Sequence, residues 1–159
     1  MPERFSWIIE ESIAGMERPG LFYSLEDDLD FLKAKGVEVI VNLQEKEHFL
    51  DHDGFIVKNI SINDFGTPNY EDFVEFIDFV SAHIAQEKRV VVHCYAGMGR
   101  TNLMLATYLV HKQGIHPDQA LEEVRLKRPV HLVTYRQEES LREYYYVIRD
   151  NLIVPKPSK

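Results

Sequence analysis

Three valines in a row, Val90–Val92, run through His93 into Cys94, the single cysteine of the chain. Gly97, Gly99 and Arg100 follow. From there to Gln113 the sequence is apolar on most helical faces, through Leu103, Met104, Leu105, Ala106, Leu109 and Val110. A short apolar run bounded by turn residues reads as a strand buried on both sides, as at the centre of a parallel sheet. A helix without a polar face is a buried helix. Few architectures bury both a strand and the helix that follows it; a sheet covered by helices does so directly.

The rest of the chain alternates in the same way, which predicts a single α/β domain with a central, mostly parallel sheet flanked by helices. Phe5–Glu10, Val37–Leu43 and Phe55–Ile60 read as further strands. Ser24 is placed to cap a helix that runs to about Lys35, with Gly36 as its stop. Thr67-Pro68 is expected to open a long helix to about Glu87, with Phe73, Phe76, Ile77, Val80 and Ile84 on one face. Pro117 starts another helix that turns Ala120, Leu121 and Val124 inward. The last helix begins near Thr134, with Leu141, Tyr145, Ile148 and Leu152 as its stripe. A length of 159 residues suits one domain, set at residues 1–154, with 155–159 as a short flexible tail.

Hydrophobic residues make up 45% of the chain, too many for a disordered segment. The 26 acidic and 18 basic side chains give a net charge of -8, which argues against broad nucleic-acid binding but leaves room for a local positive pocket. A single cysteine rules out an internal disulfide and points to a reducing compartment, so a cytoplasmic location is expected, with the nucleus open in a eukaryotic cell. The N-terminal residues lack a long apolar stretch, and neither a secretion signal nor a membrane partner is expected. The histidines form no recognisable ligand cluster with the cysteine, so no metal and no cofactor is expected.

Ligands of open α/β sheets bind beyond the carboxyl ends of the strands, where Cys94 falls. The helix that follows presents unpaired N–H groups and partial positive charge. A loop whose successive N–H groups turn inward makes an anion nest, and Gly97 and Gly99 give it the backbone freedom to do so. The residues Tyr95, Ala96, Gly97, Met98 and Gly99 are therefore expected to cradle a phosphate or similar oxyanion, with the forked Arg100 side chain gripping two of its oxygens. The same field favours a thiolate at Cys94, a nucleophile aimed at the central atom of the anion. Thr101 is placed to donate its hydroxyl to that sulfur.

The stretch His93-Cys94-Tyr95-Ala96-Gly97-Met98-Gly99-Arg100-Thr101 resembles the signature loop of the cysteine-dependent protein tyrosine phosphatases. Phe5-Ser6-Trp7 with Ile13-Ala14-Gly15, Ile62-Asn63-Asp64-Phe65, Arg125-Leu126-Lys127-Arg128-Pro129 and Thr134-Tyr135-Arg136-Gln137-Glu138 extend the resemblance, which is to the compact atypical dual-specificity phosphatases and covers nearly the whole chain. The resemblance implies metal-independent hydrolysis of phosphomonoesters through a cysteinyl-phosphate, with phosphoprotein substrates carrying phosphotyrosine and with activity on phosphoserine or phosphothreonine left open.

Such a reaction calls for a proton donor to the leaving oxygen. Asp51, Asp53, Asp64 and Asp72 lie in reachable loops, and spacing favours Asp64, between the Phe55–Ile60 strand and the Thr67-Pro68 helix start. The resemblance implies the same residue as the general acid. Gly66 is expected to give that loop room to close. Asp72 fits better as a first-turn acid of its helix. Gln137 matches a family position that orients the attacking water, while Thr134-x-x-Gln137 also reads as a capping box. His93 is expected to support the loop by hydrogen bonding. Arg125 and Arg128 read as surface or helix-end cations, and Phe65 and Tyr95 as pocket rim or as aromatic packing.

The chain departs from the family pattern at three places. Asn102 stands where glycine is usual and either crowds the loop or caps it; Asn63 stands in place of proline, and Val130 in place of glycine. Other readings compete: a phosphatase for a phosphoinositide, a sugar phosphate or an RNA 5′ phosphate, a non-catalytic phosphate-binding module, and a rhodanese-like sulfur carrier. The uncharged Tyr95, Ala96 and Met98 and the acidic chain disfavour highly anionic substrates. Cys94, Arg100 and Asp64 together disfavour a module without catalysis.

Overall fold

In the computed structural model, which describes residues 2–153 and the side chains of 2–150, strands and helices alternate as β1 (Ser6–Ile9), β2 (Ile13–Met16), α1 (Leu25–Ala34), β3 (Val37–Asn42), β4 (Ile56–Asn59), α2 (Tyr70–Ala85), β5 (Arg89–His93), α3 (Arg100–Gln113), α4 (Pro117–Lys127) and α5 (Tyr135–Ile153). The tail set at 155–159 lies outside the described residues, as does the side chain of Leu152. The sheet order is β1-β2-β5-β3-β4. Among the described residues only β1 and β2 pair antiparallel; β5 lies parallel between β2 and β3, and β4 forms an edge beside β3.

Strand alternation splits the core into two layers. Val90 and Val92 of β5, with Val39 and Val41 of β3, pack under helices α2 to α5. Val91 and Ile40 face the other way, against Leu32 of α1, Ala14 and Met16. Helix α3 is the central element of the thicker layer: every residue from Arg100 to Val110 is buried. It packs on α2, α4, α5, β2 and β5 at once, which explains why its sequence has no polar face.

Sequence punctuation sets most of the helix ends. Ser24 Oγ accepts the Asp27 N–H at 3.0 Å, and Gly36 takes φ +78° after the end of α1. Helix α2 differs from the expectation. It starts at Tyr70, not at Thr67-Pro68, because Asn69 and Asp72 exchange reciprocal capping bonds of 2.8 and 3.0 Å. Strand β2 was not expected at all; it is four residues long, contains a glycine and follows β1 after a tight turn. On α5 the fully buried aromatic is Tyr144, stacked on Phe73 with ring centroids 4.6 Å apart, while Tyr145 and Ile148 are only partly buried.

The register brings Met16, Asn42 and His93 level at the carboxyl ends of three adjacent parallel strands. The loops that leave those ends meet at the start of α3.

Candidate active site

Residues Cys94–Gly99 turn between β5 and α3, and every carbonyl of the turn is held from outside. Cys94 O lies 3.1 Å from His93 Nδ1. Tyr95 O accepts from Arg18 N–H at 2.9 Å, and Ala96 O from Arg4 Nη1 at 3.0 Å. Gly97 O accepts from Arg128 Nη2 at 2.6 Å, Met98 O from Leu132 N–H at 2.9 Å, and Gly99 O from Leu103 N–H at 2.9 Å. With the carbonyls pinned outward, the amides are turned the other way. The N–H of Gly97 points at Cys94 Sγ at 3.3 Å. Those of Tyr95, Ala96, Met98, Gly99 and Arg100 meet no protein acceptor among the described residues. Such a ring of free N–H groups at a helix N-terminus binds anions.

Gly97 is where the turn needs glycine. It has φ +75°, and a Cβ there would sit 2.5 Å from the backbone of Met16. The loop thus rests directly on the end of β2.

Cys94 is 3% exposed, at the floor of a cavity of about 80 Å³. Thr101 Oγ1 donates to its sulfur at 3.1 Å. Asp64, Phe65, Tyr95, Met98, Arg100 and Gln137 are among the residues around the same cavity. All the site candidates from the sequence therefore converge: Cys94, Tyr95, Ala96, Met98, Gly99, Arg100, Asp64 and Gln137 line it, and Gly97 and Thr101 bond the sulfur.

Arg100 is buried, and one of its terminal nitrogens is fully engaged. Nη1 donates to Ile62 O at 2.8 Å and to Glu45 Oε1 at 2.9 Å. Nη2 lies 3.4 Å from Asp64 Oδ1, and the buried Nε has no partner among the described residues. The Nε–Nη2 edge is the one suited to a two-oxygen grip; its Nε is free, and its Nη2 is held by the long pair with the mostly solvated Asp64 carboxylate alone. Glu45 also accepts the Asp64 N–H at 2.6 Å. Burial alone would raise the Glu45 carboxyl, but its own N–H, that of Asp64 and the Arg100 guanidinium outweigh it and hold it below the usual value.

Asp64 and Phe65 form the centre of a turn closed by Gly66 N–H on Asn63 O at 2.7 Å. Phe65, not Gly66, takes the left-handed backbone, with φ +59°, and its side chain is 59% exposed. A non-glycine residue in that region is strained. Gln137 forms the capping box with Thr134 and also donates to Gly66 O at 3.1 Å, so one side chain serves both the α5 start and the acid loop.

Arg128 corrects a sequence expectation. It is no surface cation: it is fully buried and donates to Arg4 O, Gly15 O, Gly97 O and Asn102 Oδ1 at 2.6 to 2.8 Å. Burial pulls its guanidinium down to about 10, with the charges of Cys94 and Glu17 opposing, so it stays protonated at neutral pH. Arg125 is exposed and pairs with Glu122. His93 is wholly buried and pulled down to about 4, which keeps it neutral.

Sequence reasoning missed Glu45, Arg4 and Leu132. Glu45 had a signal: it lies just past the carboxyl end of β3, by the same rule that selected Asp64. Glu45, Glu47 and His48 also bring their ligand atoms within 4.8 Å of one another, but Glu45 is already occupied by Arg100 and the Asp64 amide.

A family model described as "Polymorphic toxin system, DSP-PTPase phosphatase" matches residues 14–114. Protein tyrosine phosphatase domain-containing protein 1 of Bos taurus is 31% identical over 134 residues, 84% of this chain and 16% of that protein. Phosphatidylglycerophosphate phosphatase PTPMT1 of Arabidopsis thaliana is 28% identical over 131 residues, 76% of this chain and 38% of its own length. The chain thus spans well under half of these curated relatives. The crystal structure of Tk-PTP in the active form superposes with a TM-score of 0.80 at 27% identity, covering 92% of this chain and 99% of that one.

Proposed function

We propose, because this chain belongs to the DSP-PTPase phosphatases, that it hydrolyses phosphomonoesters on proteins, phosphotyrosine first and phosphoserine or phosphothreonine in addition. The observation that carries the reading is the turn itself: carbonyls pinned outward around a buried thiol, with a buried Arg100 Nε beside it that meets no partner among the described residues. In the proposed reaction the Cys94 sulfur attacks phosphorus and the P–O bond to the leaving group breaks, with Asp64 giving that oxygen its proton. The loop amides and Arg100 stabilise the charge on the three equatorial oxygens. Water then attacks the cysteinyl-phosphate while Asp64 takes up its proton; the S–P bond breaks, inorganic phosphate leaves and the Cys94 thiolate is regenerated. Thr101 donates to the departing sulfur in this second step. Gln137 meets the water once its bond to Gly66 O opens with the acid loop.

The choice of protein substrate rests on the rim. Phe65, Tyr95 and Leu132 are exposed hydrophobic residues around the cavity, and none of the loop side chains between Cys94 and Arg100 carries a charge. Apolar walls favour an aromatic ring over a polyanionic headgroup. A lipid phosphomonoester is the second reading, favoured by the similarity to the Arabidopsis enzyme and by Arg18, whose guanidinium lies 5.2 Å from the Tyr95 ring. Profiling phosphopeptides against lipid and nucleotide phosphomonoesters, with Cys94→Ser as control, separates them. Turnover of lipid phosphates with none of phosphopeptides would overturn the first reading. A cytoplasmic site of action is part of the same proposal.

A further inference from the structure

Asn102 occupies the first turn of α3, directly after the threonine that bonds the sulfur, and it is wholly buried. Its Oδ1 accepts from Arg128 Nε at 2.7 Å. Its Nδ2 donates to Val130 O at 2.9 Å and lies 3.1 Å from His131 Nδ1. The first two bonds fix which end of the amide is which, because Arg128 only donates and a carbonyl only accepts. His131 Nδ1 must then offer its lone pair, with the ring neutral and its proton on Nε2.

Both partners of Asn102 reach the cradle. Arg128 holds Gly97 O, and the turn that contains Val130 and His131 continues into Leu132, whose N–H holds Met98 O. We propose that Asn102 is a positioning residue for oxyanion binding, clamping Arg128 and the 130–132 turn together so that two adjacent loop carbonyls are held outward at once. A glycine at this place leaves Arg128 Nε and the turn without that common anchor. The added side chain caps the loop from behind instead of crowding it.

The clamp needs His131 unprotonated. Burial lowers the affinity of that ring for a proton, and so do Arg125 and Arg128, with Glu122 opposing. Asp118 of α4 and Glu138 and Arg142 of α5 line the same small surface cavity as His131 and complete the charges that face it.

The inference rests on the oxyanion reading above, and vanadate is the probe. For Asn102→Ala, vanadate affinity is expected to fall about tenfold, the loss of one buried hydrogen-bond anchor. KM for an aryl phosphate should rise with it, and the alkylation rate of Cys94 at fixed pH should fall. Asn102→Asp keeps the acceptor for Arg128 but replaces the donor by an oxygen that a protonated His131 can pair with. Its affinity relative to wild type should therefore recover as pH falls from about 8 to 5.5. A purely structural side chain gives no such pH-dependent ratio. Unchanged vanadate affinity in Asn102→Ala, or a flat ratio for Asn102→Asp, overturns the proposal. If Asn102→Ala does not fold, His131→Ala on the half-buried turn should weaken vanadate by a few-fold, and no change there overturns it equally. Wild-type protein that fails to bind vanadate sinks the oxyanion reading itself, a distinct result.

Discussion

The turn at Cys94–Gly99 and the turn at Asn63–Gly66 face each other across one small cavity, yet they are built in opposite ways. The first is buried at its sulfur, and its six carbonyls are each tied to a different donor, drawn from the N-terminal segment, β5, α3 and the loops after β2 and α4. The second is exposed, with the Asp64 side chain 62% open, and carries a strained Phe65. Its tethers to the rest of the protein are Asp64 N–H on Glu45 and Gly66 O on Gln137. The ion pair of Asp64 with Arg100 is long and one partner is mostly solvated, so it adds little. In the proposed reaction the contrast follows from the chemistry each turn is asked to do. Oxyanion stabilisation works when donors are already in place and need no reorganisation. A proton donor that must meet substrate, let product leave and meet water works from a segment of low local stability.

The largest effect is expected for Cys94→Ser, which should abolish turnover while vanadate or phosphate still binds the cradle; residual turnover above background would place the nucleophile elsewhere. Asp64→Asn should lower the rate on poor leaving groups by about 10²–10⁴, with much less loss on nitrophenyl phosphate and none in vanadate affinity. Full activity on an alkyl phosphate would move the acid to another residue.

A matched pair of glycine substitutions compares the two turns directly. Gly97→Ala forces a Cβ to within 2.5 Å of the Met16 backbone at φ +75° and should cost roughly 2–4 kcal/mol along with anion binding. Gly66→Ala also meets backbone, Asn63 O at 2.8 Å, but in a turn free to adjust, and should cost about 1 kcal/mol or less in a denaturant melt. Equal costs would mean that the acid loop is as fixed as the cradle.

Acid should attack the cradle's support first. His93 has its folded value pulled below its unfolded one, so its contribution to stability is present above about pH 6.5 and is lost as pH falls toward about 4. The loss approaches ~3 kcal/mol, and His52, His111 and His131 shift the same way. His93→Gln should flatten that dependence in melts between pH 7 and about 4.5; an unchanged slope would assign it to the other histidines. The smallest effect is expected at the shared anchor. Glu45→Gln keeps the hydrogen bonds but removes the charge, and kcat/KM should drop about fivefold.

Much of the site was legible because its signals are local. Cys94, Arg100 and Thr101 fall within one strand-to-helix junction, and the run of valines and the faceless helix fixed where that junction sits. Asp64 was legible from its place after a strand. Strand β2 was not, since four residues with a glycine hold their place only through β1 and β5. The start of α2 moved because a capping box at Asn69 outcompeted the proline before it. Arg128 was misread for a related reason: a cation at a helix end has the same local sequence whether it meets water or four backbone and side-chain acceptors.

The sequence by itself determined where the proposed chemistry sits, because the candidate nucleophile, its glycine-bearing turn and its arginine are neighbours along the chain and depend on short-range conformational rules. Only the tertiary structure decided what holds the turn open, since Arg4, Arg18, Arg128 and Leu132 reach its carbonyls from segments separated from it by up to 92 positions in the chain. Long-range hydrogen bonds depend on where the sheet brings strand ends together, and that register is a property of the packed core.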